Sequence, residues 1–277
     1  MQSVRWLGKL PGRVRATLAP CMVLCLALPL AAQAEADVPF VVTPDSVTLE
    51  MLELAQVGPQ DFVLDLGSGD GRIVILAARR FGASGLGVEI VPELVERSRR
   101  NAQWAGVAER ARFTEQDLFK TDLSAATVIT MYLLQEVNLQ LRPALLALRP
   151  GTRVVSHDWD MGDWRPDRSL TVEAPDKPVG KDKRSRLHLW VVPARVSGAW
   201  CGTGAWQGAR LQLAQHFQIF DATLSLANTA QLLAGRIDGV RLLGADGFQA
   251  SVDGPRLRIG QSGNLPPGLV GALFERC

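Results

Sequence analysis

A glycine-rich segment with two aspartates is the part of this chain best suited to bind a small ligand. Residues 65–71 read Asp-Leu-Gly-Ser-Gly-Asp-Gly, and they lie between an apolar run and a segment of helical character. Glycines at alternate positions let a backbone turn tightly and approach a ligand closely. The start of the following helix offers N–H groups without intrahelical partners. The segment therefore predicts a nucleotide-type binding loop at the carboxyl edge of a parallel sheet.

Acidic residues in and beyond this loop narrow the class of ligand. Asp65 and Asp70 make it a poor cradle for pyrophosphate, and its spacing differs from the G-x-G-x-x-G of dinucleotide folds. Glu89 ends the next strand, about twenty residues past the central glycine, where an acid can accept hydrogen bonds from a ribose diol. Asp117 follows the third strand, where an acid can meet an adenine amino group. The pattern suits a nucleoside with a cationic end and no phosphate, such as S-adenosylmethionine.

Alternating strands and helices are needed to position these residues. From residue 45 to residue 192 strand-like segments alternate with helical ones, which predicts a parallel sheet covered on both faces. A helix is expected over 136–148, interrupted near Pro143. The polar stretch 165–186 is expected to contain the tip of a hairpin. Beyond Pro193, period-two apolar spacing with Gly and Asp-Gly turns predicts a small antiparallel β domain over 195–277.

Residues 38–193 resemble the class I, or seven-strand, S-adenosylmethionine-dependent methyltransferases. The loop at 65–71 matches the first motif of that family, Glu89 its second-strand acid and Asp117 its adenine-side acid. The resemblance implies an α/β fold with a Rossmann-like, doubly wound, seven-stranded sheet and S-adenosylmethionine as cofactor. The cofactor-binding residues that we predict are Thr43, Asp65, Gly67, Ser68, Gly69, Gly71, Glu89 and Asp117. Two have structural alternatives, because Thr43 is also placed to cap a helix and Asp117 to form a turn.

A narrower similarity bears on the methyl acceptor. Val-Val-Thr-Pro at 41–44 and Asp-Gly-Arg-Ile at 70–73 are similar to a group that includes the lysine methyltransferases of ATP synthase c-subunit and adenine nucleotide translocase. This similarity implies a protein lysine as the acceptor. Tyr132, at the end of the fourth strand, and Asp158, after the fifth, are the predicted catalytic residues. Tyr132 has ordinary packing as its alternative, and His157 is more typical of a structural histidine.

The chemistry expected of such a site is simple. Methyl transfer from a sulfonium is an in-line displacement, so the protein chiefly aligns the nucleophile and excludes water. The sequence shows neither a metal-ligand pattern nor a Ser/His/Asp set. Two other functions remain open: an exported S-adenosylmethionine- or nucleoside-binding protein without turnover, and an interaction module acting through the β domain.

The N-terminal segment resembles a secretory signal. Four basic residues precede an apolar run over 18–32, and Ala-Gln-Ala at 32–34 suits cleavage, so residues 1–34 predict an exported protein. A retained membrane anchor is the alternative, and only that would place the protein at a membrane. The formal charge of the 277-residue chain, +2, falls to −2 after cleavage, so no nucleic-acid partner is expected. Cys201 and Cys277 would remain, either as a disulfide or as two unrelated thiols.

Overall fold

The computed structural model describes residues 41–227 and 229–277. The predicted signal segment, residues 1–34, lies outside the described residues. In the described part of the chain, no helix has both the length and the apolar character needed to span a membrane.

The first part of the described chain is a seven-stranded sheet with four helices. Its elements in chain order are α1 (Asp45–Leu54), β1 (Phe62–Leu66), α2 (Arg72–Phe81), β2 (Ser84–Glu89), α3 (Pro92–Trp104), β3 (Ala111–Glu115), β4 (Val128–Met131), α4 (Gln135–Leu145), β5 (Arg153–His157), β6 (Arg168–Glu173) and β7 (Arg184–Val191). The strand order is β3-β2-β1-β4-β5-β7-β6. Strand β7 runs antiparallel to β5 and β6, and the other neighbours pair in parallel. The predicted doubly wound α/β fold is confirmed.

The strand order reverses between β1 and β4, which creates a crevice at the carboxyl edge of the sheet. Because β6 runs in the same direction as β5, the turn that joins β6 to β7 lies at this same edge. We call residues 174–183 the hairpin tip. The hairpin predicted within the polar stretch 165–186 is therefore present, and it faces the functional edge of the sheet.

Side chains of β1 alternate between two buried layers. Val63 packs with α1 and α2, whereas Leu64 and Leu66 pack in a second core with α4. Both faces of a central parallel strand are covered, which explains its nearly continuous apolar sequence. Asp65 lies on the face of Val63 and is itself buried, so a carboxyl group occupies a position that the fold would otherwise fill with an apolar side chain.

The prediction for α4 was partly wrong. The helix continues through Pro143 and ends at Leu145, three residues before the expected end. A proline lacks the N–H donor of a helical residue and crowds the preceding turn. Here it lies in the last turn, so it shortens the helix instead of interrupting it.

The second part of the chain is a closed antiparallel barrel. Its strands are β8 (Gly198–Gly202), β9 (Arg210–His216), β10 (Ile219–Leu226), β11 (Thr229–Asp238), β12 (Arg241–Gly244), β13 (Phe248–Asp253), β14 (Arg256–Ser262) and β15 (Leu273–Arg276). Trp200, Phe220, Phe248 and Phe274 are fully buried inside it. The predicted antiparallel β domain is confirmed, and the structure adds its closure by pairing of β15 with β8.

A disulfide lies at the seam where the barrel closes. Cys201 on β8 is bonded to Cys277, which follows β15, with Cα atoms 5.3 Å apart. Of the two alternatives left by the sequence, the structure shows the disulfide. The cross-link closes a loop of 76 residues, for which the chain-entropy model gives about 4 kcal/mol of stabilisation.

Polar contacts join the barrel to the sheet. Arg236 of β11 forms an ion pair of 2.8 Å with Asp167, whose side chain is almost buried. Gln218 donates to the carbonyl of Arg165 at 2.6 Å, and the Ala194 N–H donates to the carbonyl of Gly239 at 2.7 Å. These bonds lie near the base of the hairpin, away from its tip.

Candidate active site

The glycine loop has a backbone that only glycine adopts readily. Gly67, Gly69 and Gly71 have φ values of +77°, +55° and +83°. A Cβ on Gly71 would lie 2.7 Å from side-chain atoms of Phe113 and Ser98. A Cβ on Gly67 would lie 3.0 Å from Leu133. The loop is thus shaped by both its dihedral angles and its close packing, and it leaves backbone groups as its ligand-facing surface.

Glu89 fixes this loop to the end of β2. Its carboxylate accepts hydrogen bonds from the N–H groups of Gly69 at 3.0 Å, Ile90 at 2.9 Å and Val91 at 3.1 Å. A carboxylate has about four acceptor positions, so acceptor capacity remains for a ligand. The residue predicted to meet a ribose diol therefore also holds the glycine loop in place.

Asp65 is a buried carboxyl group with one hydrogen-bond partner in the described part of the chain. It accepts a bond of 2.7 Å from the Thr130 hydroxyl. Burial raises its pKa to about 7, and the nearby charges of Glu89 and Asp70 act in the same direction. A cationic ligand would supply the compensation that the protein does not, which fits the positive end of S-adenosylmethionine. Sequence reasoning missed Thr130, which no motif signals.

Asp70, by contrast, is paired within the protein. Its two carboxylate oxygens accept from Arg72 at 3.0 and 2.7 Å, and Arg72 also donates to the Thr43 carbonyl at 2.8 Å. Thr43 is buried, with its hydroxyl 3.4 Å from Nδ1 of His157. The alternative role of Thr43 as a helix cap is wrong, because Pro44 is the residue that precedes α1 and no side chain caps it.

Asp117 performs a local structural task. It precedes a short 3₁₀ turn, accepts from the Phe119 N–H at 2.9 Å and lies 3.3 Å from the Lys120 ammonium. The turn-forming alternative therefore describes its contacts in the structure. Its contact with adenine stays a prediction, for which the partly exposed carboxylate keeps acceptor capacity.

A second group of side chains lies where β4 and β5 end. The Tyr132 ring stacks on His157 with ring centroids 3.9 Å apart, and its hydroxyl donates to Asp158 at 3.4 Å. Burial and the Asp158 charge raise the pKa of Tyr132 to about 12, so the phenol stays protonated. Asp158 has a φ of +63°, a left-handed conformation that aspartate tolerates better than most residues. The two predicted catalytic residues are thus adjacent.

Lys177 completes this group from the hairpin tip. Its ammonium lies 2.6 Å from the Asp158 carboxylate and donates to the Arg184 carbonyl at 2.7 Å, with a side chain only 11% exposed. Burial alone would raise the pKa of Asp158, but the hydrogen bonds from Lys177 and from the Arg186 N–H lower it overall. Sequence reasoning missed Lys177, because the polar stretch around it is typical of a solvated loop.

His157 is a structural histidine in this arrangement. It is fully buried, and its Nε2 is 2.8 Å from the Ser185 hydroxyl. Burial lowers its pKa to about 4, with Asp158 opposing that shift. The ring is therefore neutral at neutral pH, and it holds Tyr132 by stacking instead of moving protons.

The two groups divide the site by chemistry. The ends of β1 and β2 present backbone groups and carboxylates to a nucleoside with a cationic end. The ends of β4 and β5 present a carboxylate and a phenol that already hold an ammonium group. Among the described residues, no group of three or more His, Cys, Asp or Glu side chains could hold a metal ion.

Comparisons with known proteins agree with this division. A family model described as the ANTKMT methyltransferase domain matches residues 65–168. A protein-lysine N-methyltransferase of Saccharolobus islandicus is 46% identical over 138 residues, which are 49% of this chain and 86% of that protein. The human lysine N-methyltransferase of the ATP synthase c-subunit is 30% identical over 66% of this chain and 82% of its own.

A solved structure is also similar. The RNA methyltransferase from Salinibacter ruber, in complex with S-adenosyl-L-homocysteine, is 50% identical with a TM-score of 0.52. The match covers 56% of this chain and 96% of that one. Its ligand is the demethylated form of the cofactor that the glycine loop and its acids fit.

Proposed function

Because the chain belongs to the family of S-adenosylmethionine-dependent methyltransferases with an ANTKMT-type domain, we propose that it methylates the side-chain amine of a protein lysine. The observation that carries the lysine proposal is the ammonium of Lys177 held by Asp158 beside Tyr132. A site that binds one lysine ammonium has the chemistry to bind another. The names of two similar proteins, both lysine methyltransferases, support the same acceptor.

Residues at the ends of β1, β2 and β3 are proposed to hold the cofactor. The loop at 67–71, with Ser68, contributes close-approaching backbone, Glu89 takes the ribose, and Asp117 takes the adenine amino group. Asp65 and Thr43 are proposed to face its amino-acid end. When bound, S-adenosylmethionine supplies a methyl group activated by the sulfonium charge.

The protein's own contribution at the acceptor side is alignment and control of one proton. Asp158 binds the incoming ammonium, and Tyr132 orients it through the shared carboxylate. The amine must lose a proton before it can attack, and a partly buried site beside a cation favours the neutral form. Fixing the nucleophile in line with its target and excluding water are the effects that lower the barrier.

A labelled-methyl transfer assay on cell extract tests this proposal. Wild-type protein should label protein, and acid hydrolysis should yield methyl-lysine. Asp65→Ala should lose the label, whereas Gly106→Ala, at an open position with positive φ, should keep it. Label that survives protease but not ribonuclease would overturn the lysine acceptor in favour of RNA, the substrate class named for the Salinibacter ruber protein.

We also propose that the protein is exported after cleavage at residue 34, with a retained anchor as the alternative. The support is the signal-like N-terminal sequence and the Cys201–Cys277 disulfide, since disulfides persist mainly in oxidising compartments. N-terminal sequencing of the mature protein from each cell fraction tests this. A chain that begins at Met1 in the membrane fraction would favour the anchor.

A further inference from the structure

The hairpin tip is unusual in its choice of basic residue. Three of the five lysines in the chain, Lys177, Lys181 and Lys183, lie within these ten residues, whereas most basic residues elsewhere are arginines. Lys181 and Lys183 are exposed, but the Lys177 side chain turns inward to the catalytic edge. The tip therefore presents to its own site the same functional group that the proposed reaction consumes.

The hydrogen bonds of Lys177 leave one position on its nitrogen open. A lysine ammonium has three N–H groups. In the described part of the chain, one donates to Asp158 and one to the Arg184 carbonyl, and the third has no protein partner. If the third proton leaves, both bonds remain and the lone pair takes the open position. Asp158 and Arg184 thus hold the amine in the form that a methylation reaction needs.

We propose that Lys177 is a methyl acceptor within its own chain, an inference that rests on the proposed function. One proton leaves Nζ for solvent. The Nζ lone pair then forms a bond to the methyl carbon of S-adenosylmethionine, while the carbon–sulfur bond breaks and its electron pair stays on sulfur. The products are N-methyl-lysine, again a cation, and neutral S-adenosylhomocysteine. The charge of Lys177 is preserved, so its ion pair with Asp158 is preserved too.

The same geometry sets the number of methyl groups. One methyl occupies the open position, and the two remaining N–H groups keep their bonds to Asp158 and Arg184. A second methyl would displace one of these bonds from a nearly buried site, and a third would displace both. Monomethyl-lysine is therefore the expected main product at residue 177.

Mass spectrometry of the full-length protein, incubated with S-adenosylmethionine and no other acceptor, tests the proposal. One methyl group is expected on the peptide that contains Lys177, at a rate that does not change when the protein is diluted. Lys177→Arg, which keeps the positive charge, should lose the label to background. Lys181→Arg, the matched exposed variant, should keep it.

Poly-lysine added to the same reaction separates this inference from the proposed function. Methylated poly-lysine with unmethylated Lys177 would overturn the inference and leave the function standing. If neither is methylated, both fail. Label that persists in Lys177→Arg, or a rate that falls on dilution, would also overturn methylation within the chain.

A measurement without cofactor tests the placement of Lys177 directly. An amine-acylating reagent should modify Lys181 and Lys183 quickly and Lys177 slowly, because the Lys177 amine is enclosed and ion-paired. Asp158→Asn should make Lys177 react faster and leave Lys181 unchanged. Equal reactivity of Lys177 and Lys181 in the wild-type protein would contradict the enclosed site.

Discussion

Two buried aspartates at the same edge of the sheet have opposite pKa shifts. Asp65, at the end of β1, has its pKa raised to about 7, whereas the pKa of Asp158, after β5, is lowered. Burial acts to raise both. The difference is the cation: Lys177 pairs with Asp158, while Asp65 has the neutral Thr130 hydroxyl. The unpaired carboxyl group marks the half of the site completed from outside, and the paired one marks the half already filled from inside.

The largest expected effect concerns the cofactor half. Gly71→Val would place a Cβ 2.7 Å from Phe113 and Ser98 at a φ of +83°, so the loop must distort. We expect about a hundredfold loss of S-adenosylmethionine affinity, corresponding to about 3 kcal/mol of strain and overpacking. Calorimetric titration measures it. Gly106→Val, with a φ of +69° and open space around it, should bind the cofactor normally. Equal losses in both variants would mean that general backbone strain, and not the shape of the loop, controls binding.

Removing the charge of Asp158 should destabilise the protein. Asp158→Asn leaves the Lys177 ammonium nearly buried without its carboxylate, and we expect a loss of about 2 kcal/mol in the free energy of unfolding. Denaturant titration of the cofactor-free protein at neutral pH measures it. Cofactor affinity should stay within about twofold of wild type, since binding depends on the other half. An unchanged unfolding midpoint would show that the pair contributes nothing to stability.

Asp65→Asn should act in the opposite direction. Because the folded-state pKa of Asp65 lies above its unfolded value of 3.8, the folded protein binds more protons between about pH 4 and pH 7, and stability from this group falls across that window. The asparagine variant lacks this fall, so it should be relatively more stable than wild type above pH 7 than below pH 4. Thermal unfolding across this range tests the sign.

The same group should make cofactor binding depend on pH. A cationic ligand prefers ionised Asp65, so the wild-type dissociation constant should fall about tenfold from about pH 6 to about pH 8, with proton release on binding. Asp65→Asn should bind more weakly and show a flat profile. A wild-type profile as flat as that of the variant would argue that Asp65 does not face the cationic end of the cofactor.

The smallest effect is expected at Tyr132. Tyr132→Phe keeps the stack on His157 and removes the bond to Asp158, which at 3.4 Å is long. We expect kcat for methyl transfer to fall about threefold, equivalent to under about 1 kcal/mol, with cofactor affinity unchanged. Since the pKa of Tyr132 is about 12, its ionisation should not appear in the activity profile at neutral pH. A loss of several hundredfold would mean that the hydroxyl contacts the reacting amine.

The two halves also differ in how far the sequence predicts them. The cofactor half lies in one short motif plus acids at strand ends, so residue types and spacing identify it. At the acceptor half, the strand-end rule places Tyr132 and Asp158 correctly. Lys177 reaches Asp158 only because the hairpin folds back over the sheet edge, and no local pattern encodes that contact.

Closure of the barrel is a similar case. Period-two spacing predicts its strands, but the pairing of β15 with β8 joins residues more than seventy positions apart, at a register of Glu275 with Cys201. Pro143 shows the reverse limit. A local rule predicted an interrupted helix, and the position of the proline in the last turn decided the outcome.

The disulfide at the barrel seam gives residues 201–277 the connectivity of a covalent ring. A single peptide-bond cleavage in any turn between β8 and β15 would open that ring without releasing a fragment. Because the neighbouring strands remain paired around the barrel, the nicked chain keeps both new ends beside their original partners. In an environment rich in proteases, this part of the molecule would tolerate a break that would detach the terminus of an open sheet.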